Sequence, residues 1–176
     1  MIQELTLPLS REKVSALRAG DLVRLTGPLY TARDAAHKRI FAALDAGEPL
    51  PFPLDGAAIY YAGPTPAKNG LAVGSCGPTT SSRMDLYLPR LSDLGLKLTI
   101  GKGDRSPEVY EALKRNGAAY LCALGGGGAL AAGHILSAEV IAYDELGCES
   151  GKRFVFSEMP LWVGIDCRGN SIFPKR

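Results

Sequence analysis

The stretch KLTIGKGDRSPEVYEALKRNG, residues 97–117, decides the fold class, because it predicts a strand, a glycine-rich loop and a helix in succession. Residues 97–100 have the pattern of a short strand. Ser106 is then placed to cap a helix, with Pro107 at the first helical position and Gly117 at the stop. A strand followed by a well-delimited helix is typical of α/β proteins.

A second helix is predicted by TARDAAHKRIFAAL, residues 31–44. Thr31, followed three residues later by Asp34, forms a capping pair. Apolar side chains then recur at helical spacing, at Ala36, Ile40, Ala43 and Leu44. The pattern predicts a helix over residues 32–45.

Shorter signals cover the rest of the chain. Ser10 is placed to cap a short helix that runs through Leu17, and residues 81–95 have a helical pattern until Pro89 interrupts it. Apolar runs punctuated by glycine and proline predict strands over residues 2–7, 21–26, 57–63, 119–124, 138–143, 154–159 and 161–167. We therefore expect an α/β fold with a mixed sheet, a β-rich C-terminal part and one domain over residues 1–176.

Composition and charge argue against several classes of function. The chain has 20 basic and 18 acidic residues, a net charge of +2 and no long basic run, so we expect no nucleic-acid partner. The N-terminus lacks the pattern of a signal peptide, and no apolar stretch is long enough to span a bilayer. We expect a soluble, cytoplasmic protein that binds no membrane.

The four cysteines, Cys76, Cys122, Cys148 and Cys167, lie far apart in the sequence. They form no CxxC pair and lack the ligand spacing of zinc and iron–sulfur sites. We expect this chain to bind no metal by itself. The apolar neighbours of Cys122 and Cys167 indicate reduced thiols that act as small hydrophobic side chains.

The stretch GPTTSSRMD, residues 77–85, has the composition of an anion-binding loop. Its glycine and proline can turn the chain, and Thr79–Ser82 offer four hydroxyls at a helix start. Arg83 offers a planar fork of donors to a carboxylate or phosphate.

Two further turns each carry a cation. Arg33 lies in the first turn of the helix predicted over residues 32–45, where backbone N–H groups favour an anion, and His37 follows on the same face. Lys102 stands between two glycines that let a ligand approach the backbone. A solvated polar face and a turn lysine in water stay open as alternatives, but a small dianion would use Arg33, Arg83 and Lys102 together.

The run GGGGALAAGH, residues 125–134, contains Gly126, Gly128 and Ala131 in a spacing that nominally matches a dinucleotide fingerprint. No clear βαβ unit follows it, so close backbone packing or a flexible segment is the favoured interpretation. A stand-alone anion- or nucleotide-binding module built on the Gly125–Gly128 loop stays open as the alternative function.

Taken in order, TARDAAHKR, YYAGPTP, GPTTSSRMD and IGKGDRS resemble the β-type region of class I fumarate hydratases and L-tartrate dehydratases, the iron–sulfur hydro-lyases. The resemblance implies a swivelling β/β/α domain that closes over a four-iron four-sulfur cluster carried by an α subunit. It implies that this chain is a β subunit active only with that partner, in an α2β2 heterotetramer or with this chain as a homodimer.

The resemblance also implies roles for individual residues. The side chains that would bind a C4-dicarboxylate substrate are Arg33, Arg83 and Lys102. Thr79 and His37 would be the catalytic side chains, with Thr80 as the alternative hydroxyl. The implied reaction is the reversible hydration of fumarate to L-malate or the dehydration of L-tartrate, in which the cluster on the partner acts as a Lewis acid on the departing hydroxyl. The residues leave the choice between the two substrates open.

Overall fold

The computed structural model describes residues 2–68, 70–124 and 126–174 and has a mixed α/β fold. Its strands are β1 (Ile2–Thr6), β2 (Leu22–Thr31), β3 (Ala58–Tyr60), β4 (Leu98–Gly101), β5 (Ala119–Cys122), β6 (Ile135–Ala142) and β7 (Gly151–Ile165). Its α-helices are α1 (Arg11–Ala16), α2 (Asp34–Ala46), α3 (Leu88–Asp93), α4 (Pro107–Asn116) and α5 (Gly128–Gly133). Two 3₁₀ segments cover Ser81–Met84 and Asp144–Glu149. None of the described helices combines the length and the apolar character that crossing a membrane requires.

The strands form one mixed sheet, which confirms that part of the prediction. The order is β1-β2-β3-β4-β5-β7-β6, with neighbours parallel from β1 to β5. β7 runs antiparallel to β5 and β6 and also pairs with β2. This last pairing closes β2, β3, β4, β5 and β7 into a ring.

Alternate residues of the ring strands belong to different apolar clusters, as the period of two in a strand requires. All five ring strands contribute to one apolar cluster. The largest fully buried side chains that the ring strands place in it are Leu25, Leu29, Tyr60, Phe154 and Phe156. Ile59 and Tyr61 instead pack with Ile40 of α2, and Tyr120 packs with Leu113 of α4. The ring therefore has a filled interior and helices on its outer side.

All three helices predicted with a cap form, and α1 and α4 begin at the predicted cap. Ser10 lies at the N-cap of α1 and its hydroxyl accepts a bond from the Lys13 amide at 3.4 Å. In α4, Ser106 is the N-cap and Pro107 the first residue, and Gly117 ends the helix in the left-handed region.

The predicted start of α2 is wrong. Its N-cap is Arg33, and Thr31 is the last residue of β2. The Thr31 hydroxyl accepts a bond from the Lys152 amide at 3.2 Å, so the neighbouring strand β7 uses the group that would have capped the helix.

Two other predictions need correction. Pro89 does not interrupt a helix but lies in the first turn of α3, where its missing N–H costs nothing. The strands predicted over 154–159 and 161–167 are one strand, β7. Pro160, which separates the two predicted strands, lies within β7 opposite Arg24. The irregularity of β7 is a bulge opposite the register shift between Leu25 and Gly27, in which Glu158 has a positive φ of 49°.

Candidate active site

The candidate residues lie where three parallel strands end at one edge of the sheet. Arg33 follows β2, Lys102 follows β4, and the GPTTSSRMD loop runs beside them. The chain after β3 bonds to that loop, because the Thr79 amide donates to the Tyr61 carbonyl at 2.7 Å. The carboxyl ends of parallel strands are a common place for ligands in α/β proteins.

The other half of the loop is fixed to the end of β4. Thr80 forms a parallel bridge with Lys102, and the Ser81 amide donates to the Lys102 carbonyl at 2.9 Å. The Ser81 hydroxyl oxygen accepts a bond from the Lys102 amide at 3.0 Å and hydrogen-bonds the Tyr120 hydroxyl at 2.9 Å. The structure thus brings Thr79, Thr80 and Lys102 onto adjoining backbone.

Close approach at Ser81 depends on the glycine that ends β4. A Cβ built on Gly101 would lie 1.8 Å from the Ser81 hydroxyl oxygen, far inside van der Waals contact. Ser81 is fully buried, whereas Ser82 is exposed. The buried Ser81 hydroxyl therefore holds the backbone of the loop in place through its hydrogen bonds.

Arg83 is paired with the first residue of α2. Its Nε and NH2 donate to the two carboxylate oxygens of Asp34, at 3.1 and 2.7 Å. Its NH1 lies 3.5 Å from the Thr79 hydroxyl. The Arg83 side chain is 51% exposed, so a ligand can reach it from solvent.

Arg33 contacts a different carboxylate, that of Glu149. Its Nε lies 3.3 Å from the carboxylate of Glu149 and makes no hydrogen bond within the described part of the chain. A Cβ on Gly63 would lie 3.2 Å from NH1 of Arg33 and 3.0 Å from the Cys148 carbonyl oxygen. The glycine therefore leaves space for the arginine.

Glu149 belongs to a turn that a buried lysine, Lys152, stabilises. The ammonium of Lys152 donates to carbonyl oxygens of Gly147, Cys148 and Ser150 and to the Ser150 hydroxyl, at 2.7–3.3 Å. The second carboxylate oxygen of Glu149 accepts a bond from the Ala35 amide at 3.4 Å. The turn is thereby joined to the start of α2.

His37 is buried under the start of α2. Its Nδ1 lies 2.9 Å from the Arg33 carbonyl oxygen, which can only accept, so Nδ1 carries the proton. Its Nε2 is buried and unpartnered among the described residues, and the ring stacks on Tyr87 at 5.0 Å. Burial lowers the pKa of His37 to about 4, against the opposing effect of the Arg33 carbonyl. The neutral imidazole is the stable form at neutral pH.

The loop ends on a buried ion pair. The Asp85 carboxylate accepts bonds from Nε of Arg105 at 2.5 Å and from the Ser106 amide at 2.6 Å. Arg105 also lies over the rings of Tyr61 and Tyr120. This pair joins the end of the loop to the start of α4.

A cavity of about 840 Å³ opens beside this ion pair. Asp85 and Arg105 contribute to its wall, together with Ser82, Tyr110 and Phe173. Its described lining contains none of the five site residues predicted from the sequence, so the cavity is separate from the edge where those residues lie.

The cysteines are free thiols spread over the fold. Cys76 is fully buried, and burial raises the pKa of its thiol to about 12. Across residues 2–68, 70–124 and 126–174, no three His, Cys, Asp or Glu side chains come together in a way that could hold a metal ion. The described residues therefore do not fit an iron–sulfur cluster.

The glycine-rich run packs closely against the start of the GPTTSSRMD loop. A Cβ on Gly128 would lie 2.3 Å from the Ser75 hydroxyl and 3.0 Å from the Gly77 amide. α5 has six residues, and β6 after it is antiparallel to β7, so the described residues form no parallel βαβ unit here. Gly125, the first residue of the loop predicted to bind nucleotide, lies outside the described residues.

Sequence reasoning missed several residues that shape the site. Asp34 was predicted only as part of the cap of α2. Its place next to Arg33 in the sequence was the one signal that it lies close to the candidate site. Glu149 and Lys152 follow more than a hundred residues after α2, and no local pattern announces them. The structural role of the Ser81 hydroxyl could not be predicted, because it depends on the close approach of Gly101, which the sequence does not show.

Comparison with known proteins shows a family. A family model described as the fumarase C-terminus matches residues 2–176. The chain is similar to fumarate hydratase 2 of Leishmania major, with 40% identity over 167 residues that cover 94% of this chain and 29% of that protein. It is also similar to the aerobic class I fumarate hydratase of Escherichia coli (strain K12), with 40% identity over 85% of this chain and 28% of that protein.

A separate subunit is also similar. The L(+)-tartrate dehydratase subunit beta of Escherichia coli (strain K12) is 35% identical over 177 residues, which cover 96% of this chain and 85% of that subunit. The chain thus spans less than a third of the fumarate hydratases that it matches, and most of the tartrate dehydratase subunit.

Proposed function

Because this chain belongs to the fumarase C-terminal family, we propose that it is the β-type component of a hydro-lyase acting on a C4-dicarboxylate. The reaction is the reversible hydration of fumarate to L-malate or the dehydration of L-tartrate. The observation that carries the proposal is the edge formed after β2, β3 and β4, where Arg33, Arg83, Lys102 and the Thr79 hydroxyl lie on segments bonded to one another.

The cations have the chemistry to bind a dianion. Arg83 retains N–H donors beyond those that Asp34 uses. The side chain of Arg33 is 24% exposed, although its Nε is buried against Glu149. Arginine can grip a carboxylate through two parallel bonds, and the exposed ammonium of Lys102 adds a point charge. We assign these three residues to the two substrate carboxylates.

Thr79 is the proposed group for proton transfer. Its hydroxyl lies 3.5 Å from NH1 of Arg83, and a nearby cation favours the deprotonated form of a hydroxyl. Its backbone is fixed by the bond to Tyr61, which limits the motion of the hydroxyl. We keep Thr79 ahead of Thr80 because this contact involves Thr79.

His37 is proposed to act through the main chain of Arg33. Its protonated Nδ1 donates to the Arg33 carbonyl, and its side chain is fully buried. Burial favours the neutral ring, so His37 is suited to holding the N-cap of α2 in place.

The remaining parts of the proposal concern the assembly. We propose a partner α subunit that carries a four-iron four-sulfur cluster, which supplies Lewis acidity for the departing hydroxyl. Residues 1–176 form one swivelling β/β/α domain that covers the partner's site, in an α2β2 heterotetramer or with this chain as a homodimer. The name "subunit beta" of the tartrate dehydratase relative supports a partner.

The test compares variants of this chain in the complex with its partner, assayed with fumarate, L-malate and L-tartrate. Arg83→Lys keeps the charge but loses the two parallel bonds, so we expect kcat/KM to fall at least about tenfold with an unchanged Tm. Thr79→Val should lower kcat more than it raises KM.

The matched control is Ser82→Ala, which removes an exposed hydroxyl from the same loop and should change neither constant. Near wild-type efficiency of Arg83→Lys would refute the proposed site. So would a loss in Ser82→Ala as large as that in Thr79→Val.

A further inference from the structure

We infer that Asp34 is a positioning residue: it holds the Arg83 guanidinium so that the edge formed by NH1 and NH2 faces the substrate. The inference rests on the proposed function. It starts from the two bonds that join Nε and NH2 of Arg83 to separate oxygens of the Asp34 carboxylate. Two bonds from one planar group fix its orientation as well as its position.

The edge that Asp34 occupies determines what is left for a ligand. A guanidinium has five N–H donors, and Asp34 takes the side formed by Nε and NH2. The NH1–NH2 side keeps two parallel donors, and NH1 is the nitrogen 3.5 Å from the Thr79 hydroxyl. A carboxylate bound on that side would lie next to the proposed proton-transfer group.

The carboxylate is itself well anchored. Asp34 is the first residue of α2, where the helix dipole favours a negative charge. Its side chain is 29% exposed, against 51% for Arg83, so the pair is partly shielded from water. The pair also ties the GPTTSSRMD loop to the helix that Arg33 caps, and thereby sets the spacing of the two arginines.

The opposite role for Asp34 would be competition with the substrate for Arg83. The geometry argues against it, because Asp34 bonds to Nε and NH2 only and the Arg83 side chain stays 51% exposed while the pair is formed. Removing a competitor would lower KM, whereas removing a positioning group raises it. The two roles therefore differ in the sign of one measured constant.

The test uses Asp34→Asn in the complex with the partner subunit, with KM and kcat measured separately. We expect KM to rise about tenfold, kcat to stay within about threefold and Tm to be unchanged, because the arginine remains but loses its fixed orientation. Asp34→Glu restores the charge and should recover part of the loss. Exchange of the Arg83 Nε–H, followed by NMR, should be faster in Asp34→Asn than in the wild type.

A matched control lies at the other end of the same helix. Asp45 pairs with Arg90 across a comparable sequence distance, at 2.5 Å, and its side chain is 68% exposed. Asp45→Asn should leave KM unchanged. An equal rise in KM for Asp45→Asn would overturn the inference by revealing a general charge effect.

The remaining outcomes separate this inference from the proposed function. An unchanged or lowered KM in Asp34→Asn, with Arg83→Lys impaired, overturns the positioning role and leaves the proposed function standing. Full efficiency of Arg83→Lys overturns the proposed site, and with it the role of Asp34.

Discussion

A threonine hydroxyl is a poor base in water, so any chemistry at Thr79 depends on its neighbours. The Thr79 amide is bonded to the end of β3, and the guanidinium of Arg83 lies beside the hydroxyl. Arg83 is in turn paired with Asp34. At the scale of single residues, the site is a chain of contacts in which each group fixes the next.

Lys102 gives a direct test at this scale. Lys102→Ala removes the proposed charge-assisted contact to a substrate carboxylate, worth about 1.5–3 kcal/mol, so we expect kcat/KM for the dicarboxylate to fall by about one to two decades at an unchanged Tm. Lys38→Ala, which removes an exposed lysine from α2, is the control and should have no effect. Unaltered kinetics in Lys102→Ala would make Lys102 a turn residue only.

His37 predicts a dependence of stability on acid. Its pKa is about 4 in the folded chain and 6.5 in the unfolded chain, so above pH 6.5 neither state is protonated. As the pH falls from 6.5 to 4, the unfolded state takes up a proton that the folded state excludes, and the free energy of unfolding should drop by about 3 kcal/mol.

Urea unfolding at several pH values measures this contribution. His37→Phe should lose that part of the slope, while His134→Gln should keep it because His37 is still present. Identical slopes in His37→Phe and the wild type would show that the ring is not excluded from protonation.

The three cations of the candidate site could be named from the sequence, whereas the carboxylates that pair with two of them could not. Arg33, Arg83 and Lys102 stand in conspicuous turns, and the family-like motifs point to them. Asp34 was assigned to a capping pair because the sequence cannot show that the Thr31 hydroxyl bonds to β7. Glu149 approaches Arg33 only through the fold.

At the scale of elements, the GPTTSSRMD loop is hydrogen-bonded to the chain at the ends of two strands, β3 and β4. Thr79 bonds to the chain after β3, and Ser81 bonds twice to Lys102 after β4. The buried pair of Asp85 and Arg105 fixes the exit of the loop. The backbone of the loop that carries the candidate side chains Thr79 and Arg83 is therefore fixed at several points.

The contact between Gly101 and Ser81 predicts non-additive mutations. Gly101→Ala places a methyl group 1.8 Å from the Ser81 hydroxyl and should cost about 1–3 kcal/mol of stability. Ser81→Ala leaves the Lys102 amide without its acceptor and should cost about 1–3 kcal/mol. The double variant should cost less than the sum, because the 1.8 Å contact is then lost and the built Cβ lies 3.0 Å from Cδ2 of Tyr61 and 3.2 Å from the Ser81 Cβ.

Denaturant unfolding of the single and double variants measures this coupling. Gly133→Ala is the control, because a Cβ there meets nothing within 4 Å, and its stability should change by no more than about 0.5 kcal/mol. Strict additivity of the Gly101 and Ser81 changes would show that the two groups do not meet.

Elements with strong local signals were predictable, and those set by distant contacts were not. α4 has a cap, a proline and a glycine within its own sequence, and it forms as predicted. β7 was predicted as two strands because Pro160 indicates a break in the sequence pattern, whereas the structure pairs it with Arg24 of β2. The short α5 was missed, since a run of small residues gives no helical periodicity.

At the scale of the whole molecule, the closed ring of strands is the feature that the sequence predicts least well. It closes through the pairing of β2 with β7, which joins residues more than a hundred positions apart. The α/β class and the mixed sheet could be inferred from the order of elements, but closure depends on this long-range register. The closed ring holds the ends of β2, β3 and β4 at one edge, where the candidate site lies.

The claim that this chain is one half of a two-part dicarboxylate hydro-lyase is tested most directly by an activity assay of three samples. These are this chain alone, the α subunit alone and their complex, each treated anaerobically with iron and sulfide. We predict hydration of fumarate or dehydration of L-tartrate by the complex only, with the absorbance of a cluster in the α subunit and the complex but not in this chain. Activity or a stable cluster on this chain alone, or a cluster-loaded complex inactive on both substrates, would contradict the claim.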